Sequence, residues 1–311
     1  MTVRTLGNLL SLVILLAFST TATSGQDKKA VEPKKSAAPY ATAHAAPLEP
    51  KEEDKDQADK YKRLRVEFNG IKGDRVPAYL YLPKRKDATP LPAVLLQYGI
   101  GGNKNTDYIV AIGKQFTERG FIVLTIDAPN TGERRTKDKK SNAIIDMILG
   151  GDQILQYCGD YSRAVDFLLT RKDVDKDRIG YVGISWGAIT GVTYVAYDER
   201  IKCMGCMVGG GNFLGGFNAK TAEKVRTEGS KSTDPVYHVA RIAPRPLLFV
   251  NVTKDQLIMK PWAESLHKFA GAGSKVVWHE TDHYFKGVDR AEICGSVIDF
   301  MEKSLQVKGA K

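Results

Sequence analysis

Cysteine and histidine are scarce: the 311 residues contain four Cys and five His. No second Cys or His pair at ligand spacing accompanies Cys203 and Cys206, which argues against a structural zinc site. Those two lie in an apolar run of strand character, where positions three apart point to opposite faces, so a disulfide between them is not expected. Cys158 and Cys294 stand alone, and all four read as core thiols. No apolar stretch reaches the ~20 residues that span a bilayer. No G-x-G-x-x-G follows the first strand pattern into a helix, which removes a dinucleotide fold. Basic residues outnumber acidic ones, 46 to 36, for a net charge of +10. That excess is dispersed and carries no aromatic-interleaved stripe, so no nucleic-acid partner is expected. No repeat is visible, and no metal or cofactor is called for.

What is present begins at the N-terminus. Arg4 precedes an apolar run at residues 9–18, followed by small residues at 19–25. This order predicts a cleavable signal over residues 1–25, hence a secreted or periplasmic protein without stable membrane insertion after cleavage. Residues 26–60 are rich in Ala, Pro, Lys, Glu and Asp, and nearly devoid of large apolar side chains. Such a stretch buries too little to offset chain entropy and is expected as a disordered tether, able to hold the domain at the envelope if the signal stays. Residues 61–311 have the length of one domain.

Short apolar runs predict strands at 65–68, 78–82, 93–97, 121–127, 179–185, 201–208, 247–252 and 275–279. Helical patterns fall at 109–119, 153–170, 188–197, 235–241, 263–270 and 290–305. The alternation predicts an α/β fold: a mostly parallel central sheet of about eight strands with helices on both faces. The first two strands, joined by a short turn, form an antiparallel edge.

Gly183-Ile184-Ser185-Trp186-Gly187 ends one strand pattern and starts a helix, the context that a G-x-S-x-G nucleophile turn requires. Small residues two before and two after Ser185 let strand and helix approach while the turn projects the hydroxyl. An ordinary βα turn would need neither. Serine needs a base, and the base an orienting acid, in the chain order Ser, acid, His. His238 and His267 fall within helical patterns and read as packing or surface residues. His283 sits in the loop after the last strand, at the carboxyl edge where ligands bind in open sheets; His279, ending that strand, is the alternative. Asp255 follows the strand at 247–252 and is the expected acid, with Asp282 the fallback. The strand before it ends in Gly209-Gly210-Gly211-Asn212, with no carboxylate. Oxyanion donors are expected from the N–H of Trp186 and from the loop Gly99-Ile100-Gly101-Gly102, with Ile100 chosen and Gly99 the alternative.

His279-Glu280-Thr281-Asp282-His283 fits H-E-x-x-H letter by letter, but that zinc motif works on one helix face and this one follows a strand pattern. Asn251-Val252-Thr253 matches a glycosylation acceptor at a strand end, where it would be buried.

Residues 76–289 resemble the dienelactone-hydrolase and acetyl-xylan-esterase-like branch of the α/β-hydrolases. The likeness rests on Val76-Pro77-Ala78-Tyr79-Leu80-Tyr81-Leu82-Pro83, the Gly99 loop, Asp127-Ala128-Pro129-Asn130-Thr131-Gly132-Glu133-Arg134, the serine turn, Ile242-Ala243-Pro244-Arg245-Pro246 and Thr253-Lys254-Asp255. It implies ester hydrolysis through an acyl-enzyme, with Ser185, Asp255 and His283 as triad. Dienelactone hydrolases proper carry Cys where Ser185 stands, which disfavours dienelactone chemistry. Tyr98 stands where relatives have His before the Gly.

The expected substrate is a small-molecule or polysaccharide-linked ester, short-acyl or carbohydrate-borne. The loops at 129–152 and 209–233, the latter with Phe213 and Phe217, are expected to shape its pocket. Arg134, Arg135, Lys137, Lys139 and Lys140 would favour acidic sugars if they face it, and otherwise form a solvated charged loop. A serine peptidase of the same fold and a non-catalytic binding module are the alternatives.

Overall fold

A computed structural model describes residues 37–42, 44–136, 151–213 and 233–307. The signal at 1–25, residues 26–36 of the tether, Lys137, Lys139, Lys140 and Phe217 lie outside the described residues. So does most of each loop assigned to the pocket.

Nine strands form one sheet: β1 (Lys51–Gln57), β2 (Tyr61–Asn69), β3 (Arg75–Pro83), β4 (Leu91–Gln97), β5 (Ile122–Ile126), β6 (Val174–Ile184), β7 (Ile201–Met207), β8 (Leu247–Val252) and β9 (Ser274–His279). Their spatial order is β1-β2-β3-β5-β4-β6-β7-β8-β9. The first three strands join antiparallel, as does β3 to β5; β4 through β9 run parallel. Among the described residues the α-helices are α1 (Asp107–Glu118), α2 (Gly151–Thr170), α3 (Trp186–Val195), α4 (Lys260–Phe269) and α5 (Arg290–Ser304). The helical pattern at 235–241 resolves into two short 3-10 turns, Pro235–Tyr237 and Val239–Ile242.

The pleat of β6 shows why both faces need cover. A Cβ on Gly180 would strike the Met301 methyl of α5, whereas the neighbouring Tyr181 ring, on the opposite face, lies against Gly191 of α3. The interior parallel strands are therefore apolar on both sides, and Val94, Leu95, Leu96, Val182 and Val250 are all buried.

The expected tether boundary needs correction. Residues 51–57 form an outer ninth strand paired with β2, and Tyr40 is buried, its hydroxyl donating to the Tyr194 carbonyl at 3.0 Å. The sequence Lys51-Glu52-Glu53-Asp54-Lys55-Asp56-Gln57 has no apolar pattern because both faces of this edge strand are exposed. Backbone pairing holds it, with ion pairs Lys62–Asp54 at 2.7 Å and Arg171–Glu52 at 2.5 Å. Its charges also discourage a further strand from adding to that edge. The antiparallel pair β2–β3 is consequently interior to the sheet.

All four cysteines are free and buried. Burial pushes the Cys203 and Cys206 thiols up to about 12, so they stay neutral. Among the described residues no helix is long and apolar enough to cross a membrane.

Candidate active site

From β4 the chain crosses to β5 on one side and later enters β6 on the other, so the strand order reverses at β4. Ligands bind outside the carboxyl ends of strands at such a point. Four strand ends converge there: β4 leads into the Gly99 loop, β6 into Ser185, β8 into Asp255 and β9 into His283.

Ser185 has φ 53° and ψ −113°, the left-handed side that a non-glycine residue adopts only under constraint. The surroundings supply that constraint. The Ser185 N–H donates to the Met207 carbonyl at 2.8 Å, and the Gly187 N–H to the Tyr98 carbonyl at 3.0 Å. A Cβ on Gly183 would run into the Gly187 carbonyl, and one on Gly187 would sit 2.8 Å from the carbonyl oxygens of Gln97 and Tyr98. The two glycines are thus required by close approach of β4, β6 and α3.

The hydroxyl so projected lies 2.9 Å from His283 Nε2, and His283 Nδ1 lies 2.8 Å from Asp255 Oδ2. A carboxylate only accepts, so Nδ1 carries the hydrogen and Nε2 presents its lone pair to the Ser185 O–H. The other carboxylate oxygen of Asp255 accepts from the N–H groups of Leu257 and Ile258, both at 2.8 Å, which fixes its orientation. All three side chains are buried. Asp282, the fallback acid, is occupied in its own turn: its Oδ1 accepts from the N–H groups of Tyr284 and Lys286, each at 3.0 Å.

The Trp186 N–H opens α3, so it has no intrahelical acceptor, and the Ile100 N–H has no acceptor among the described residues. Gly99 differs. Its N–H donates to the Tyr108 hydroxyl at 2.7 Å, which removes it from the expected oxyanion donors and leaves Trp186 with Ile100. Burial pushes the Tyr108 phenol up to about 12, so it remains a neutral hydroxyl.

His279 ends β9 and His283 lies in the loop beyond, so the H-E-x-x-H letters share no helix face. Both nitrogens of His283 are engaged with Asp255 and Ser185. Among the described residues no group of three or more His, Cys, Asp and Glu side chains is placed to hold a metal ion. His238 hydrogen-bonds the Tyr197 hydroxyl at 3.1 Å. Asn251 is buried, its amide donating to His267 at 2.7 Å.

A cavity of about 740 Å³ opens over Ser185 and His283. Its described walls are the Gly99 loop, one face of α1, the 283–285 loop and the first turn of α5. None of the described residues at 129–136, 151–152, 209–213 or 233 lines it, and the rest of the two loops expected there lies outside the described residues. Within the described part of the basic cluster, Arg134 is used differently. The Arg134 guanidinium pairs with Asp160 at 2.8 Å and Asp74 at 2.5 Å, holding together the turn that follows β5.

That turn explains the Asp127–Arg134 motif. The buried Asp127 carboxylate takes the Lys104 ammonium at 2.6 Å, the Lys104 N–H at 3.0 Å and the Glu133 N–H at 2.9 Å. Gly132, at φ 49°, passes so close to Asp127 that no side chain fits. The Tyr98 hydroxyl accepts from the Ala128 N–H at 2.7 Å and lies 2.7 Å from the Thr131 hydroxyl. Tyr98 thus braces the Gly99 loop from below and does not enter the cavity. Sequence reasoning missed the Lys104–Asp127 pair and the roles of Tyr98 and Tyr108. A buried cation has no local periodic signal, although a tyrosine in the first turn of the helix after a Gly-rich loop was a usable hint.

A strained serine between β6 and α3, in line with a histidine and an aspartate at the same sheet edge, defines a protein of the α/β-hydrolase fold. A model of the dienelactone hydrolase family matches residues 76–293, and the chain belongs to that family. YtaP of Bacillus subtilis (strain 168) is 33% identical over 151 residues, covering 45% of this chain and 49% of YtaP. The match therefore spans about half the length of that relative. Among solved structures, the acetyl xylan esterase from Paenibacillus sp. R4 superposes with a TM-score of 0.69 at 17% identity, covering 84% of this chain and 90% of that one. A cold-adapted esterase from an Arctic intertidal metagenomic library gives 0.63 at 20% identity, covering 80% and 96% respectively. At these identities the likeness is one of fold.

Proposed function

We propose that the protein is a serine esterase that cleaves carboxylic esters through an acyl-enzyme. The observation that carries this reading is the hydrogen-bonded line from Asp255 through His283 to Ser185, at 2.8 and 2.9 Å. His283 Nε2 takes the Ser185 proton as Oγ attacks the ester carbonyl, and the carbonyl oxygen, now anionic, is held by the N–H groups of Trp186 and Ile100. Collapse breaks the ester C–O bond, and the proton passes from His283 to the departing alcohol. A water deprotonated by the same nitrogen then attacks the acyl-enzyme, releasing the acid and restoring Ser185. Asp255 keeps the hydrogen on Nδ1 throughout. Family membership supports hydrolysis, and the esterase names of the structural relatives support the choice of ester over amide. Export follows from the signal-like residues 1–25 and is proposed with it.

The test is hydrolysis of p-nitrophenyl esters by the protein and by Ser185→Ala, with and without a chelator. We expect turnover that ignores the chelator and falls at least ~10³-fold in the variant. Ester turnover that survives in Ser185→Ala would sink the mechanism. An inert protein on all esters, with activity on peptides, would favour the peptidase alternative.

A further inference from the structure

Granting the serine-esterase reading, we propose that the preferred substrates are esters of medium-chain, apolar carboxylic acids, with the acyl chain lying along α1. An acetyl group needs about twice the ~30 Å³ share of one water. The cavity over Ser185 holds about 740 Å³, the size of sites that enclose far larger ligands.

Its shape follows from helix geometry. Asp107, Tyr108, Ala111, Ile112 and Gln115 of α1 all line it, a spacing that keeps them on one face over two turns, or ~12 Å. The reactive end is at Tyr108. A Cβ on Gly99 would sit 3.2 Å from Ser185 Cβ and 3.5 Å from the Tyr108 hydroxyl oxygen, so those two side chains flank one spot. Gln115 is the far end. From Tyr108 to Gln115 the rise is ~10.5 Å, which at ~1.3 Å per carbon of a zigzag chain accommodates about eight carbons.

The lining chemistry agrees. Ile100, Met207, Leu257, Phe285 and Ile293 face the cavity with few polar groups among them. Cys294, also in the wall, has its thiol pushed up to about 11 by burial and presents a neutral, weakly polar surface. The Arg290 guanidinium at the rim is engaged with the Tyr284 carbonyl at 2.8 Å. The polar side chains of α1 and its N-cap in the wall, Thr106, Asp107 and Gln115, are too few to partner every hydroxyl of a sugar, and a hydroxyl desolvated without a partner weakens binding. An acyl chain would gain at every methylene. The acyl group also stays bonded to Ser185 while the alcohol departs, so the walled cavity serves the part of the substrate that remains.

The experiment is kcat/KM for p-nitrophenyl acetate through decanoate, beside a second series of acetates with lengthening alkyl alcohols. It is run on the full chain, Ser185→Ala, Ala111→Phe and Gln115→Phe. Ala111 is exposed on α1 and Gln115 half-buried, so neither substitution overfills the core. We expect Ser185-dependent turnover rising about three- to fourfold per methylene through octanoate. Ala111→Phe should lower the octanoate-to-acetate ratio at least tenfold, and Gln115→Phe should cut off only the longest chains. Ser185-dependent turnover that is flat or best on acetate would overturn this inference and leave the esterase reading intact. The same holds for a gain confined to the alcohol series, or for two phenylalanine variants with the same cutoff. Absence of Ser185-dependent turnover on every ester would overturn both.

Discussion

Replacing Asp255 by Asn separates catalysis from stability. Asp255 has three partners, the N–H groups of Leu257 and Ile258 on one oxygen and His283 Nδ1 on the other, all at 2.8 Å. Asparagine keeps a carbonyl oxygen for the two backbone donors and turns an NH₂ group toward the imidazole. Two donors cannot face each other, so the hydrogen leaves Nδ1 for Nε2. The Ser185 O–H, 2.9 Å from Nε2, then has no acceptor. Loss of the correct tautomer costs on the order of 10⁴ in kcat, about 5.5 kcal/mol of transition-state stabilisation. Stability should change little, because both backbone bonds survive and an N–H···N bond replaces the charged one. We expect a loss of ~1 kcal/mol, or 2–4 °C in Tm for a domain of this size. Asp255→Ala orphans both backbone donors and should lower Tm several degrees further. Asp282→Asn keeps the Oδ1 acceptor for Tyr284 and Lys286 and should retain activity near wild type. The assay is single-ester kinetics with thermal melts of the three variants. An Asp255→Asn enzyme with more than a tenth of wild-type kcat, beside an inactive Asp282→Asn, would refute the reasoning.

Gly183→Ala forces a methyl into the Gly187 carbonyl, so it should abolish soluble expression or activity; a soluble, fully active variant would show the turn to be looser than its contacts indicate. Lys104→Met removes the partner of buried Asp127 and should cost about 3–5 kcal/mol, read by urea denaturation. A loss below 1 kcal/mol would mean the backbone donors alone satisfy that carboxylate. Burial raises the Asp198 pKa, but hydrogen bonding and charge from Arg200 outweigh it, and the net shift is downward. Its contribution is therefore complete above the unfolded aspartate pKa and lost as pH falls through the lower folded value. Asp198→Asn should flatten the fall of Tm between pH 5 and pH 2; an unchanged slope in that range would contradict the assignment.

The strands of the parallel core and the serine turn were legible because their information is local. Burial on both faces demands continuous apolar runs such as Leu247–Val252. Close approach around Ser185 demands glycine on either side. The exposed strand β1 was illegible because nothing about it is apolar; its pairing with β2 rests on backbone groups that every sequence has. The turn at 235–241 shared helical composition with a helix but is interrupted at His238 between two 3-10 segments. The Arg245 of the 242–246 motif gained a reason only from the fold. Its guanidinium caps the carbonyls of Val195, Asp198 and Ile201, where α3 ends and β7 begins.

By itself the sequence determined the fold class and the nucleophile turn, because each follows from periodicity or from steric need within a few residues; the order serine, acid, histidine came with the fold. Tertiary structure alone decided that Tyr108 takes the Gly99 N–H and that Lys104 meets Asp127. It also placed one face of α1 along the cavity. Those outcomes depend on which strand ends the sheet order brings side by side, and contacts between residues as distant as Ser185 and His283 leave no trace in local spacing.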